Sequence, residues 1–174
     1  MRHISKITIL LGAIGLGAVV LSPVAAQQED QRATNTAAIQ QLTDEFLNSG
    51  KLDALDELYS ADAIHHSPLG DLSVEARKMT RAALGQAMPD FHVTIESLTA
   101  NGTWVSVLYT FTGTFTGELP TPDGKAVPGN QAKIQLAIGD FFRLNNAGQI
   151  GESWETYDNL NLLTQMGVMP APAS

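Results

Sequence analysis

Two carboxylates flank a tryptophan near the end of the chain, in Glu152-Ser-Trp154-Glu-Thr156-Tyr-Asp158. Alternate side chains of a β-strand share a face, so Glu152, Trp154, Thr156 and Asp158 should all point the same way. Solvated strand faces rarely need a Trp, and an unpaired buried charge costs several kcal/mol or shifts its pKa. An aromatic wall with acids beside it therefore reads as a pocket. The residue types hint at chemistry without naming a substrate. Glu152 reads as a rim or bridging residue beside the substrate. Asp158 can alternatively cap or pair at the end of the strand, for instance with Arg143. The neighbouring His65 and His66 face opposite ways on a strand, and no third ligand stands at a recognisable spacing, so no metal site is expected.

Several elements must position these residues. Ile39, Leu42, Phe46 and Leu47 form one helical stripe that starts near Thr34 or Asn35 and stops at Gly50. Leu52, Leu55, Leu58 and Tyr59 mark a second short helix, and residues 63–66 an extended piece before Ser67-Pro68-Leu-Gly70. Ser73 can cap a third helix to about Ala87, which Pro89 closes. From Phe91 the period changes to alternation: Phe91, Val93 and Ile95, then an Asn101-Gly102 turn, then Val105, Val107, Tyr109 and Phe111 on one face. A turn-rich loop over residues 117–129 lacks P-loop spacing and leads to a third strand over residues 133–144, which turns at 145–148 into the last. Three helices followed by four antiparallel strands predict an α+β domain with a curved sheet wrapped around the helices.

The front of the chain reads as an export signal: Arg2, His3 and Lys6, an uncharged apolar run over residues 7–21, then Ser22-Pro23-Val24-Ala25-Ala26. That run is shorter than the roughly 20 residues of a membrane span. Cleavage after Ala26 would leave roughly 150 residues, the size of one domain. Residues 27–33 read as a mobile leader, 34–168 as the domain and 169–174 as a flexible tail. The location implied is periplasmic or secreted, with no stable membrane association after cleavage. The net charge of −8 disfavours nucleic acid and anionic lipid as partners. A small apolar or neutral organic ligand suits the composition. With no Cys, the fold relies on packing alone.

The ordered pieces Tyr59-Ser-Ala-Asp-Ala-Ile-His-His66-Ser-Pro68, Met88-Pro-Asp90-Phe, Gly113-Thr-Phe-Thr-Gly117, Pro122-Asp-Gly-Lys125, Phe142-Arg143-Leu, Gly148-Gln-Ile-Gly-Glu152-Ser-Trp154 and Leu163-Thr-Gln165-Met-Gly167 cover nearly all of residues 35–170. Together they resemble the SnoaL-like polyketide cyclase or ester cyclase group, within the nuclear-transport-factor-2-like cone fold. The resemblance implies a conical half-barrel around an apolar pocket, no metal or organic cofactor, and an intramolecular aldol ring closure with an acid in the pocket as general acid/base. By motif position that acid is Asp158. The implied proton abstraction next to a carbonyl needs an apolar wall that raises the basicity of the acid and a donor for the developing enolate oxygen. Trp154 would then be the wall, His66 the donor or a positioning group, and Arg143 or Tyr109 a further polar contact. The family often carries His where this chain has Phe115 and Arg where it has Leu108, so two polar groups are missing from the implied pocket. The two functional expectations are thus a cyclase or isomerase, and a non-catalytic carrier or sensor shaped by Trp154, Phe115, Tyr109 and Leu108. Relatives often pair through the outer sheet face, which makes a homodimer a third expectation.

Overall fold

A computed structural model describes residues 22–120 and 125–170. Residues 1–21 of the expected signal sequence lie outside the described residues, as do the middle of the 117–129 loop and the end of the expected tail. Among the described residues, no helix is long and apolar enough to cross a membrane.

The first helix, α1 (Pro23–Gln41), begins well before Thr34. Ser22 caps it by accepting from the Ala25 amide, and Pro23 sits in the first turn, where a missing N–H costs nothing. The residues expected to be a mobile leader are therefore helical. Polar anchoring explains why an aperiodic stretch is ordered. Arg32 donates to the Ala100 carbonyl (3.1 Å), and the buried Asn35 donates to the Gly102 carbonyl (2.8 Å) while accepting from Gln31 (2.9 Å). Cleavage after Ala26 would remove the cap and the first turn, leaving these anchors in place.

The helical path then widens into a π-helical segment, Leu42–Asn48, followed by α2 (Ala54–Leu58). Strand β1 (Tyr59–Ser67) starts where the sequence still reads as helix and runs antiparallel to the short β2 (Gly70–Ser73). Ser73 caps α3 (Val74–Ala87), as its position before the helical stripe suggests. Next come β3 (His92–Asn101) and β4 (Trp104–Phe115), joined through Gly102 at φ +57°, a left-handed conformation suited to glycine. The two-residue strands β5 (Leu119–Pro120) and β6 (Ala126–Val127) pair with each other beside the main sheet. Strands β7 (Ala132–Leu144) and β8 (Ile150–Tyr157), then α4 (Asn159–Gln165), complete the chain. α4 occupies residues that read as the run-out of the last strand.

The main sheet has six strands in the order β2-β1-β8-β7-β4-β3. The expected antiparallel meander is its β3-β4-β7-β8 portion, and β1 adds to its edge parallel to β8. The sheet is therefore mixed, a pairing that alternation within single strands does not encode. Its inner face packs on the helices through two apolar clusters. One joins Ile39, Leu42, Phe46 and Leu55 to Val105, Val107 and Phe142. The other joins Ala87, Met88 and Met166 to Phe111, Phe115 and Leu136. After β4 the chain turns tightly over the end of α3, where the Ala87 carbonyl accepts from the amides of Thr116 (3.0 Å) and Gly117 (2.9 Å). A Cβ at Gly117 would lie 2.3 Å from the Gln86 carbonyl oxygen, so only glycine fits.

Candidate active site

Between the helices and the inner sheet face lies a cavity of about 410 Å³. Most of its wall is apolar, from Phe46, Leu84, Met88, Phe91, Phe111 and Ile138 among others. Its polar groups include His65, Arg77, Arg81, Tyr109, Asp140, Glu155 and Tyr157. A small set of polar groups in an apolar hollow of this size is the usual form of a small-molecule site.

Strand register brings the acids together. Asp140 on β7 and Glu155 on β8 are direct cross-strand partners. Asp140 interrupts an otherwise apolar row, Ile134, Leu136, Ile138 and Phe142, on the buried face of β7. Glu155 shares the inner face of β8 with Ser153 and Tyr157. Burial pushes Asp140 well above the usual carboxylate range, and the neighbouring Glu155 pushes it further, against the pull of Arg77. Burial also raises Glu155, again opposed by Arg77. Two carboxyls facing each other in a largely apolar wall cannot both ionise cheaply, so each favours the protonated form of its neighbour.

Arg77 supplies the balancing charge. It follows the Ser73 cap by one helical turn, and α3 carries it inward until its guanidinium stands 5.1 Å from the Tyr59 ring centroid and 5.6 Å from that of Phe46. Those aromatic faces favour a buried cation. Arg81, one turn on, donates to the Leu47 carbonyl (2.8 Å) over the Phe91 ring and braces the same wall. Among the described residues, Arg77 Nη1 and Asp140 Oδ1 are buried without a hydrogen-bond partner. Each such atom costs about 1–3 kcal/mol, which a ligand able to pair with it would offset.

His65 is buried, with Nδ1 2.9 Å from Ser153 Oγ and Nε2 3.9 Å from Glu155. Burial, with the charge of His66 as a smaller cause, lowers its pKa to about 4, so the ring is neutral at physiological pH. Tyr109 hydrogen-bonds Thr43 at 3.2 Å. Because the Thr43 hydroxyl already donates to the Ile39 carbonyl (2.8 Å), the Tyr109 hydroxyl must be the donor. The π-helical segment thus seats Thr43 and Phe46 against the cavity wall. Tyr157 is pushed up to about 12, by burial first and by Glu155 second. Among the described residues, no three His, Asp or Glu side chains converge as a metal-binding group.

The residues singled out from sequence divide between the two faces. Only Tyr109 lines the cavity. Glu152, Trp154 and Thr156 do share a face, but it is the outer one. There Trp154 stacks between His66 (5.3 Å) and Trp104 (5.4 Å), so its burial comes from neighbouring rings. Glu152 bridges His66 (3.0 Å) and Arg143 on that face. Leu108 is exposed on the outer side of β4, and Phe115 is fully buried in the second apolar cluster away from the cavity lining. Asp158 lies beyond the end of β8 and caps α4, accepting from the Asn161 amide at 2.9 Å. Strand parity was right and the choice of face was inverted, which in a period-two element moves every side chain to the other side. The signal that finds the inner face is Asp140, a lone acid in an apolar row.

The family model for SnoaL-like polyketide cyclases matches residues 37–166. The chain belongs to the SnoaL-like polyketide cyclase family. Solved structures with this fold include AclR from Streptomyces galilaeus, described as a candidate hydroxylase, at 20% identity and a TM-score of 0.70 over 82% of this chain and 87% of that one. A candidate SnoaL-like polyketide cyclase from Jannaschia sp. CCS1 shares 22% identity and a TM-score of 0.69 over 88% and 100% of the two chains. A candidate polyketide cyclase from Bacillus cereus ATCC 10987 shares 25% identity and a TM-score of 0.66 over 86% and 87%. Among curated proteins, none matches the sequence. The SnoaL-like domain thus has the nuclear-transport-factor-2-like α+β fold, with the curved sheet around N-terminal helices, and the different activities named for its neighbours leave the reaction to be argued from the site.

Proposed function

We propose that this SnoaL-like protein is a cofactor-free cyclase or isomerase acting on a small neutral organic molecule, with the Asp140–Glu155 pair as general acid and base. The observation that carries this reading is the direct opposition of the buried Asp140 and the half-buried Glu155 inside the cavity, beside Arg77. The largely apolar wall favours a neutral organic ligand over an ion. The ionised carboxylate removes a proton from carbon next to a carbonyl, and the Arg77 guanidinium stabilises the enolate oxygen. In a cyclisation the enolate carbon bonds to a second carbonyl carbon of the same molecule, and the protonated carboxyl gives its proton to the resulting alkoxide. In an isomerisation the removed proton returns at another carbon. Both leave the mass of the substrate unchanged.

The role first assigned to Asp158 and His66 passes in this reading to Asp140, Glu155 and His65, because these are the titratable groups that share the cavity. The experiment is a chromatographic comparison of a small-molecule extract of the native host incubated with wild-type protein, Glu155→Gln or Asp158→Asn. A compound whose retention time shifts with wild type and Asp158→Asn but not with Glu155→Gln supports the proposal. Equal turnover by Glu155→Gln defeats it. A compound retained unchanged by all three would instead mark a carrier.

Two further proposals concern the setting. Export rests on the basic, apolar and small-residue succession over residues 1–26, and the mass of the protein recovered outside the cytoplasm tests it. Pairing of two copies through the outer sheet face rests on the exposed Ile64, Trp104, Leu108 and Phe141. Sedimentation showing only monomer would remove it.

A further inference from the structure

The hydrogen bonds behind His65 run in one direction. Ser153 Oγ lies 2.9 Å from His65 Nδ1 and 3.5 Å from the hydroxyl of Tyr59, and all three side chains are buried. Among the described residues, Ser153 is the only hydrogen-bond partner of the Tyr59 hydroxyl. Were Ser153 to accept from both neighbours, its own buried hydrogen would have no acceptor among the described residues, which leaves two directions for the chain. In the first, Tyr59 donates to Ser153, Ser153 donates to His65 Nδ1, and the ring proton sits on Nε2, facing Glu155 at 3.9 Å. In the second, His65 Nδ1 donates to Ser153 and Ser153 donates to Tyr59. That leaves the Tyr59 O–H buried without an acceptor and sets the Nε2 lone pair against a carboxylate. The second arrangement forfeits a hydrogen bond at one end and adds repulsion at the other. The first keeps both hydrogen bonds and turns the Nε2–H toward the carboxylate.

We propose that Tyr59 and Ser153 are positioning residues that fix His65 in the tautomer with its proton on Nε2, so that Glu155 is the ionised base of the pair and Asp140 the protonated acid. The inference rests on the reading of the pair as acid and base, and assigns a role to each member. The surroundings agree with the division. Glu155 faces the His65 Nε2–H from β1, Arg77 from α3, Asp140 from β7 and Tyr157 along its own strand. Asp140 faces Arg77 and Glu155, with Tyr109 near it on β4, and among the described residues it has no histidine partner. Burial raises both acids and Arg77 opposes the rise in each, so the division between them rests on the placement of the His65 ring.

The test needs no substrate, so it is independent of whether the protein turns anything over. Long-range proton–nitrogen spectra of histidine-labelled, ligand-free protein identify which ring nitrogen of His65 carries the proton. Wild type should show Nε2–H at neutral pH, and Nδ1–H there would overturn the proposal. In Ser153→Ala the Nδ1–H form should become comparably populated, and the titration midpoint of Glu155, followed through its carboxyl carbon, should rise by about one pH unit, a tenfold change in its protonation constant. Tyr59→Phe keeps the ring that packs on Arg77 and should mix the tautomers in the same sense, which keeps the test decisive if Ser153→Ala does not fold. An unchanged tautomer and midpoint in a folded variant would contradict the assignment.

Discussion

His65 and His66 are neighbours on β1, yet the sheet separates them into opposite surroundings. His65 is neutral and buried with Ser153 and Glu155 on the cavity side, its pKa lowered to about 4 by desolvation. His66 stands on the outer face with Nδ1 2.7 Å from Asp71 and Nε2 3.0 Å from Glu152. Carboxylate oxygens only accept hydrogen bonds, so both ring nitrogens must donate and His66 is an imidazolium in this arrangement. Its pKa is raised accordingly, through the bond to Asp71 first and to Glu152 second. The same contrast holds between the acids of β8. Glu152 outside is tied to cations on the surface, whereas Glu155 inside faces a second acid across the strand. An ion pair in high dielectric chiefly organises a surface, while a titratable pair in an apolar hollow is poised for proton transfer.

The largest expected difference between the faces is in turnover. Glu155→Gln and Asp140→Asn should each lower kcat of the proposed reaction by roughly 10²–10⁴-fold, the usual contribution of a positioned acid or base. Steady-state kinetics on the substrate found in the extract comparison measure this, and a loss under tenfold would break the distinction. On the outer face, Trp154→Ala removes the ring between His66 and Trp104 and should cost about 1–2 kcal/mol of stability in urea denaturation. Ligand affinity in the cavity should stay unchanged. An affinity loss as large as that of Glu155→Gln would restore Trp154 to the pocket.

The pH dependence of stability separates the histidines by sign. His65, lowered from 6.5, contributes stability that is fully present above 6.5 and lost as pH falls toward about 4. His66, raised from 6.5, contributes stability that is fully present below 6.5 and lost as pH rises through its folded value. Denaturation midpoints of His65→Gln should therefore flatten on the acid side, and those of His66→Gln on the alkaline side. The same slope in both variants would contradict the assignment. The smallest expected effect is that of Asp158→Asn. Asn caps a helix about as well as Asp, so neither stability nor turnover should move.

Much of the fold was legible because local rules decide it. Ser73 before the stripe of α3, Asn101-Gly102 between β3 and β4, and the row Val105, Val107, Tyr109 and Phe111 each specify their element without long-range information. The parallel pairing of β1 with β8 was not legible, because it joins segments nearly a hundred positions apart and leaves no period in either. The site was misread for a related reason. Alternation tells which side chains travel together on β8, and only packing on β1 and β7 tells which set faces the helices. Trp154 looked like a cavity wall because stacking on His66 and Trp104, residues remote in sequence, covers it from outside. Asp158 looked like the end of the strand because its helix, α4, has little periodicity of its own, and its carboxylate caps that helix.

The central claim is that the inner face of the sheet keeps a shared proton at neutral pH. Carboxyl-carbon titration of Asp140 and Glu155 in the ligand-free protein tests it most directly. The account predicts two separated steps, both above the ordinary range near 4, with the second abolished in Asp140→Asn and the first in Glu155→Gln. Both acids titrating together near 4 would mean an ionised, solvated pair, and would contradict the assignment of acid and base to this face.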